Sequence, residues 1–338
     1  MEQIATIGLD LAKNVFQVHG VDAAGKVAVR RQLRRGEVLR FFRGLPPCLV
    51  GIEACATAHH WGREISKLGH VVKLMPPAYV KPYVKRGKTD AADAEAIAEA
   101  VTRPTMRFVA IKTVDQQAIL MSHKTRDLLI RQRTMLINAL RGHLAELGIV
   151  TARGPGGVSK AIVVFHERRQ ELPPLAQKTL HGMIDRLRTL SAEIKEVEAD
   201  IVRWHRGHEA SCRLATIPGI GPITASALAA AVPDASLFKS GRQFAAWLGL
   251  TPRPHSTGGK QRQLGISKQG DSYIRRLLVT GATAVLRLAR QGNASKAWAI
   301  NLLERKPARV VTVALANKTA RIAWAVLAHN ECYTAPAA

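Results

Sequence analysis

The chain has 338 residues and carries 50 Lys and Arg against 25 Asp and Glu, a formal net charge of +25. With 47% hydrophobic residues it can bury a real core, which argues against a disordered basic tail and leaves nucleic acid as the natural polyanionic partner. Cys48, Cys55, Cys212 and Cys332 stand far apart with no CxxC pair, which argues against a zinc ribbon or a disulfide scaffold and fits a reducing, cytoplasmic compartment, with the nucleoid as the site of work.

The opening MEQIATIGLD reads as a strand containing an acid and lacks a signal-peptide layout. Strands are predicted at Ile4 to Asp10, Val15 to Val21 and Lys26 to Leu33, joined by short turns. An amphipathic stretch from Gly36 to Leu45 follows, then a buried strand from Cys48 to Glu53, a helix around His59 to Leu68 and a short strand from His70 to Leu74. Three sequential strands followed by alternating helices and strands predict a mixed α/β sheet. Pro76-Pro77 breaks the pattern, Lys81 to Lys88 forms a basic loop with Lys85, Arg86 and Lys88 as nucleic-acid contacts, and Thr89 caps a helix from Asp90 to Val101.

The middle of the chain is helical. One helix is predicted over 112–147, with Leu129, Leu136, Leu140, Leu144 and Leu147 on roughly one side, and Gly154-Pro-Gly-Gly157 breaks it from the next. Leu180, Met183, Leu187, Leu190, Ile194, Val197, Ile201 and Trp204 then step by 3, 4, 3, 4, 3, 4 and 3. This spacing predicts a coiled coil contributing to a dimer, with an intramolecular helical hairpin as the alternative. The last segment opens on Ile217-Pro-Gly-Ile-Gly221 and continues through Ala- and Leu-rich helices to about His329. No uncharged apolar run approaches about 18 residues, so no membrane span is expected. The division is 1–110, 111–208 and 209–338.

Charge follows that division. Residues 1–110 hold 17 basic and 10 acidic residues, 111–210 hold 16 and 11, and 211–338 hold 17 and four. The acids available for metal chemistry therefore concentrate early, and the most nucleic-acid-like surface lies late.

Asp10 ends the first strand, Glu53 ends the fourth, and Asp90 and Asp93 share a helix face at i and i+3. Hard oxygen donors of this kind suit Mg²⁺ or Mn²⁺, and such ions assist phosphodiester displacement. Singly, each acid has a plainer use: Asp10 in a turn, Glu53 paired with Arg63, Asp90 complementing a helix dipole. Together, in an α/β order, they match the layout of ribonuclease H-like nucleases. The turn at Pro218, Gly219 and Gly221 exposes backbone N–H groups beside a helix start, as in the hairpin of helix-hairpin-helix DNA-binding modules. In the loop from Leu250 to Lys260, Ser256 stands among Arg253, His255, Lys260 and Arg262, with Lys268, Arg275 and Arg276 following. Those cations could neutralise a phosphorane around an attacking hydroxyl. By composition, Thr257, Ser267 and Ser272 serve as well.

The motifs GLD at 8–10, IEACATAHHW at 52–61, RGKTDAADAEAIAEA at 86–100, IPGIGPITA at 217–225, FAAWLGLTPRPHSTGGK at 244–260 and ISKQGD at 266–271 resemble the insertion-sequence 110 family of transposases. The HHW and HSTGGK variants are most similar to its insertion-sequence 1111 subgroup. The resemblance spans nearly the whole chain in order. It implies a RuvC-like N-terminal domain whose DEDD tetrad is Asp10, Glu53, Asp90 and Asp93 with Mg²⁺, a central coiled coil, and a mostly helical C-terminal transposase domain. It places the essential serine at Ser256, forming a covalent link to a DNA end. It further implies acids and serine supplied by different protomers, a dimer assembling to a tetramer, and a bridge RNA pairing with donor and target DNA. The low aromatic content of 5% suits a protein that leaves base reading to an RNA. Two other readings use the same residues: a RuvC-like junction endonuclease that hydrolyses with water, and a non-catalytic DNA-binding scaffold.

Overall fold

The predicted strands carry into the structure, a computed structural model describing residues 3–85, 87, 89–152, 154–260, 262–291 and 297–335, with the first two strands buried almost continuously and the third mostly exposed. β1 (Thr6–Asp10), β2 (Val15–Val21), β3 (Val27–Arg34), β4 (Leu49–Glu53) and β5 (Val71–Met75) form one sheet of order β3-β2-β1-β4-β5. The first three strands pair antiparallel, and β1, β4 and β5 pair parallel. One face buries Ile7, Leu9, Val50 and Ile52 against Phe42 of α1 (Val38–Arg43) and Trp61 and Ile65 of α2 (Ala58–Ser66). Pro77 does more than break the chain: as a first helical residue with its missing N–H it opens the short α3 (Pro77–Val80).

The opposite face carries α4 (Asp90–Val101), which packs on β1, β2 and β4. Its seat is made by two glycines paired in register, Gly8 on β1 and Gly51 on β4. A Cβ on Gly8 would stand 2.0 Å from the Ala94 carbonyl oxygen and 2.4 Å from the Ala98 nitrogen, so only glycine admits the helix backbone this close. Arg86 and Lys88 of the predicted basic loop lie outside the described residues.

These elements belong to the first of two compact units, Met1–Gln117 with Ala231–Lys239; the second is Ala118–Ala230 with Ser240–Ala338. The second is mainly helical: α5 (Val114–Glu146), α6 (Pro155–Glu167), α7 (Pro174–Arg206), α8 (Glu209–Ala215), α9 (Pro222–Ala231) and α10 (Gly241–Trp247). A hairpin of β6 (Pro252–Pro254) and β7 (Gln263–Ile266) precedes α11 (Ser272–Ala289), α12 (Ala297–Leu303) and α13 (Ala308–His329). Gly154-Pro-Gly-Gly157 does not simply break the helical region, because Pro155 starts α6.

The heptad stripe of α7 is covered by its own chain. Leu180, Ile184 and Leu187 pack with Leu140 and Leu144 of α5 and Phe165 of α6, and Ile201 packs with Ile119 and Ala230. This is the intramolecular alternative: the period specifies a seam on α7 but not whose helix fills it. By length and composition α13 could cross a membrane, yet its Val311, Leu315, Ala316, Ala320 and Ala323 are buried where it packs on α10 and α11.

Candidate active site

The glycine seat places the acids. Because β1 and β4 run parallel and end together, Asp10 and Glu53 emerge at the same edge of the sheet, two residues beyond Gly8 and Gly51 and on the same face. α4 begins over that edge. Thr89 caps it, its hydroxyl accepting from the Ala92 N–H at 3.2 Å, and Asp90 and Asp93 occupy the first turn. Carboxylate oxygens of Asp10, Asp90 and Asp93 come within 4.8 Å of one another. Glu53 lies outside that spacing but within electrostatic range of both Asp10 and Asp93.

Such crowding is costly for anions. Burial, then the charges of Asp93, Asp90 and Glu53, push the Asp10 carboxyl up to about 6. Burial and Asp93 raise Glu53 in the same direction. Arg63 is committed elsewhere, donating to the Lys112 carbonyl at 2.6 Å. Half-buried carboxylates with hard oxygen donors and, among the described residues, no cation among their perturbers fit a divalent ion of the Mg²⁺ or Mn²⁺ type. The sequence reading missed Cys55, whose thiol is raised by burial and by the charges of Glu53 and Asp10, and so borders the cluster. Its signal was only its place two residues after Glu53. Lys85 forms an ion pair with Glu95 at 2.6 Å.

In the second unit, Ser256 is exposed between β6 and the hairpin tip, so the predicted loop is instead a hairpin arm. Gly258 and Gly259 have φ of 53° and 78°, the paired positive values of a type I′ turn, and the Lys260 N–H closes it on the Thr257 carbonyl at 3.1 Å. The His255 N–H donates to the Arg262 carbonyl at 2.8 Å, and the Ser267 N–H to that of Thr251 at 2.9 Å. Two prolines on β6 hid this strand, since proline has no N–H to donate to a ladder and is confined to edge positions. Arg253, His255, Lys260, Arg262 and Lys268 are exposed around the arm. Arg275 is turned inward, donating to the Leu248 and Gln269 carbonyls at 3.0 and 2.6 Å. Arg276 pairs with Asp127. Thr257 is the first residue of the turn, and Ser272 opens α11 behind the Asp271 cap.

The Pro218-Gly219 turn joins α8 to α9, with Ile217 and Ile220 buried and Pro218 and Gly221 exposed. Behind it, buried His123 of α5 bonds Ser226 of α9 at 3.1 Å and Tyr273 of α11 at 3.0 Å. Burial holds the His123 imidazole down to about 4, so it is neutral at pH 7. It ties the turn and the helix leaving the serine hairpin to a common post, a link no sequence spacing reveals.

Comparison with known proteins bears on both units. A family model for DEDD-type IS110 transposases matches residues 7–149, and one described as transposase IS116/IS110/IS902 family matches 211–297. The chain is 51% identical over 333 residues to a probable family 20 transposase of Pseudomonas aeruginosa, covering 98% of each. It is 42% identical to the transposase for insertion sequence element IS1328 of Yersinia enterocolitica, covering 99% of this chain and 100% of that one. Against the transposase for insertion sequence element IS1111A of Coxiella burnetii the identity is 39%, over 98% and 92%.

Proposed function

The chain belongs to the IS110 family of transposases, enzymes of insertion sequences that act on DNA, and from that premise we propose that it exchanges DNA strands through a serine-linked intermediate under the guidance of a bridge RNA. The observation that carries this reading is the convergence of Asp10, Asp90 and Asp93 at one sheet edge, in a chain whose other unit presents Ser256 on a basic hairpin arm. The strand order, with β1 central and ending in an acid, supports a ribonuclease H-like, RuvC-type assignment of the first unit.

Asp10, Glu53, Asp90 and Asp93 would hold Mg²⁺ or Mn²⁺. When bound, the ion supplies charge neutralisation at the phosphodiester oxygens and at the departing oxygen. The Ser256 Oγ attacks phosphorus, an O–P bond to serine forms as one strand O–P bond breaks, and the serine proton ends on the freed strand hydroxyl. A hydroxyl of the other DNA then attacks the serine phosphodiester and restores the Oγ–H. The bond count is conserved, so no nucleotide cofactor is needed. Arg253, Lys260, Arg262 and Lys268 neutralise phosphates around the arm, and the exposed Pro218–Gly221 turn offers backbone N–H groups to others. Acids and serine are supplied by different protomers of a dimer that pairs into a tetramer on donor and target DNA.

A nicked element end that traps the intermediate tests this. The wild-type chain, supplied with its co-purifying RNA, yields a covalent adduct whose phosphopeptide contains Ser256. Ser256→Ala and Asp93→Asn each lose it, and mixing Ser256→Ala with Asp10→Asn restores part of it if protomers share sites. Full recombination by Ser256→Ala would sink the serine mechanism in favour of hydrolysis by water, and cleavage surviving both acid substitutions would sink the metal site.

A further inference from the structure

We propose that a groove in the second unit, walled by the base of the serine hairpin and by α13, is a stacking site for unpaired DNA bases. The cavity measures about 1300 Å³, larger than the roughly 300–1000 Å³ typical of small-molecule pockets, and so fits a length of strand. Arg242, Arg309, Lys318 and Arg321 line it together with Trp298 and Trp324, and among the described residues no Asp or Glu does. Four cations, two indoles and no acid form the pattern by which proteins hold single strands, phosphates on the cations and bases on the ring faces.

The groove is preformed. The Asn317 side-chain amide of α13 donates to the Leu250 carbonyl at 3.0 Å, fixing α13 to the foot of the hairpin. On α10, a Cβ at Gly241 would meet the Arg321 carbonyl oxygen at 2.9 Å, so those helices touch backbone to backbone. Trp298 is 45% exposed, with the Lys318 ammonium 4.8 Å from its ring centroid. With that ammonium over one face of the ring, a base stacks on the other, and the cation stands ready for its phosphate. Pro252 of β6 and Ile266 of β7, paired at the base of the hairpin that carries Ser256, form one wall, and we take the strand held here to be the one that Ser256 attacks. That last step, and with it the choice of DNA, rests on the serine reading above; the stacking itself does not. Nor does stacking compete with a guide RNA, because a ring face accepts any base.

Binding of a fluorescent twelve-residue oligo-dT to the full-length chain tests the groove directly. Trp298→Ala with Trp324→Ala is expected to weaken it about tenfold or more, while affinity for a 30-bp duplex changes less than about twofold. The Phe replacements at both positions should keep most of the affinity, which separates stacking from folding. In the unaltered chain, photocrosslinking with 5-iododeoxyuridine should label peptides containing Trp298 or Trp324. Unchanged oligo-dT affinity in the folded double Ala variant, or crosslinks only elsewhere, would overturn the proposal. A shift in oligomeric state in place of lost binding would overturn it too, by making the groove a protein interface. Oligo-U bound more than tenfold tighter than oligo-dT would overturn the choice of DNA. Ser256→Ala should bind oligo-dT normally, so an adduct persisting in that variant defeats the serine reading and leaves the groove measured on its own terms.

Discussion

The two units place the groups proposed to react by opposite means. In the first, strands buried on both faces and a helix seated on paired glycines force carboxylates together, at an electrostatic cost visible in Asp10 at about 6. In the second, Ser256 stands exposed on a hairpin arm closed by a two-glycine turn, with its basic neighbours also exposed. The first site is built before anything binds and is destabilised until a cation arrives. The second is held out to solvent, and under the proposed mechanism its geometry is completed by what it binds. Mutation and solvent should therefore affect the two in different ways.

The sharpest way to break that contrast is Gly8→Ala. The new Cβ would meet main-chain atoms of Ala94 and Ala98, which cannot rotate away. We expect a loss of about 3 kcal/mol in chemical denaturation, the upper range for overpacking, together with loss of divalent-ion binding. A variant of wild-type stability would show that the seat is not as rigid as argued.

Metal addition comes next. Saturating Mn²⁺ at about 100 times its dissociation constant should stabilise the wild-type chain by about 2.7 kcal/mol, read as a rise in melting temperature. Ser256→Ala should keep that rise. Asp10→Asn and Asp93→Asn should lose it, yet melt higher than wild type without metal, because each removes a repelling carboxylate.

Acid should move the units in opposite directions. His123, held down to about 4 against an ordinary 6.5, leaves the folded state with fewer bound protons than the unfolded one between those values. Its contribution is complete above pH 6.5 and declines as pH falls, by about 2 kcal/mol at pH 5. Asp10 is raised from 3.8 to about 6, so without metal its own contribution is complete below 3.8 and is lost as pH rises through 6. Hydrogen exchange at pH 7 and pH 5, without metal, should show α5, α9 and α11 less protected at the lower pH and β1 and α4 more so. His123→Gln should flatten the response of the second unit alone.

Much of the first unit was legible because its signals are local. β2 and α4 fall at the predicted bounds, Val15–Val21 and Asp90–Val101, fixed by flanking turns in one case and a threonine cap in the other. All four acids were visible as strand ends and a helical pair. What positions them was less so, since Gly8 and Gly51 matter only once β1 and β4 are paired. In the second unit the distances are longer. The α7 stripe was real, but its cover comes from α5 and α6, and the tryptophan groove gathers residues from 240 to 325 that no short window contains. The basic residues also divide: Arg275 and Arg276 are engaged by Leu248, Gln269 and Asp127, while Arg253, Lys260 and Arg262 stay exposed.

The mildest test is Gly259→Ala at the hairpin tip. A Cβ there meets nothing within 4 Å, so packing is untouched, but φ of 78° costs an alanine roughly 1 kcal/mol. Because the tip is exposed, that cost falls on the turn and not on the helical core. The melting temperature should move by no more than a degree or two, while adduct formation falls severalfold as the arm loses its fixed approach. Gly8→Ala should do the reverse to its own unit, lowering stability and metal binding together. If Gly259→Ala left adduct formation untouched, the arm would not need the turn that sets its direction, and the serine would be positioned entirely by the bound nucleic acid.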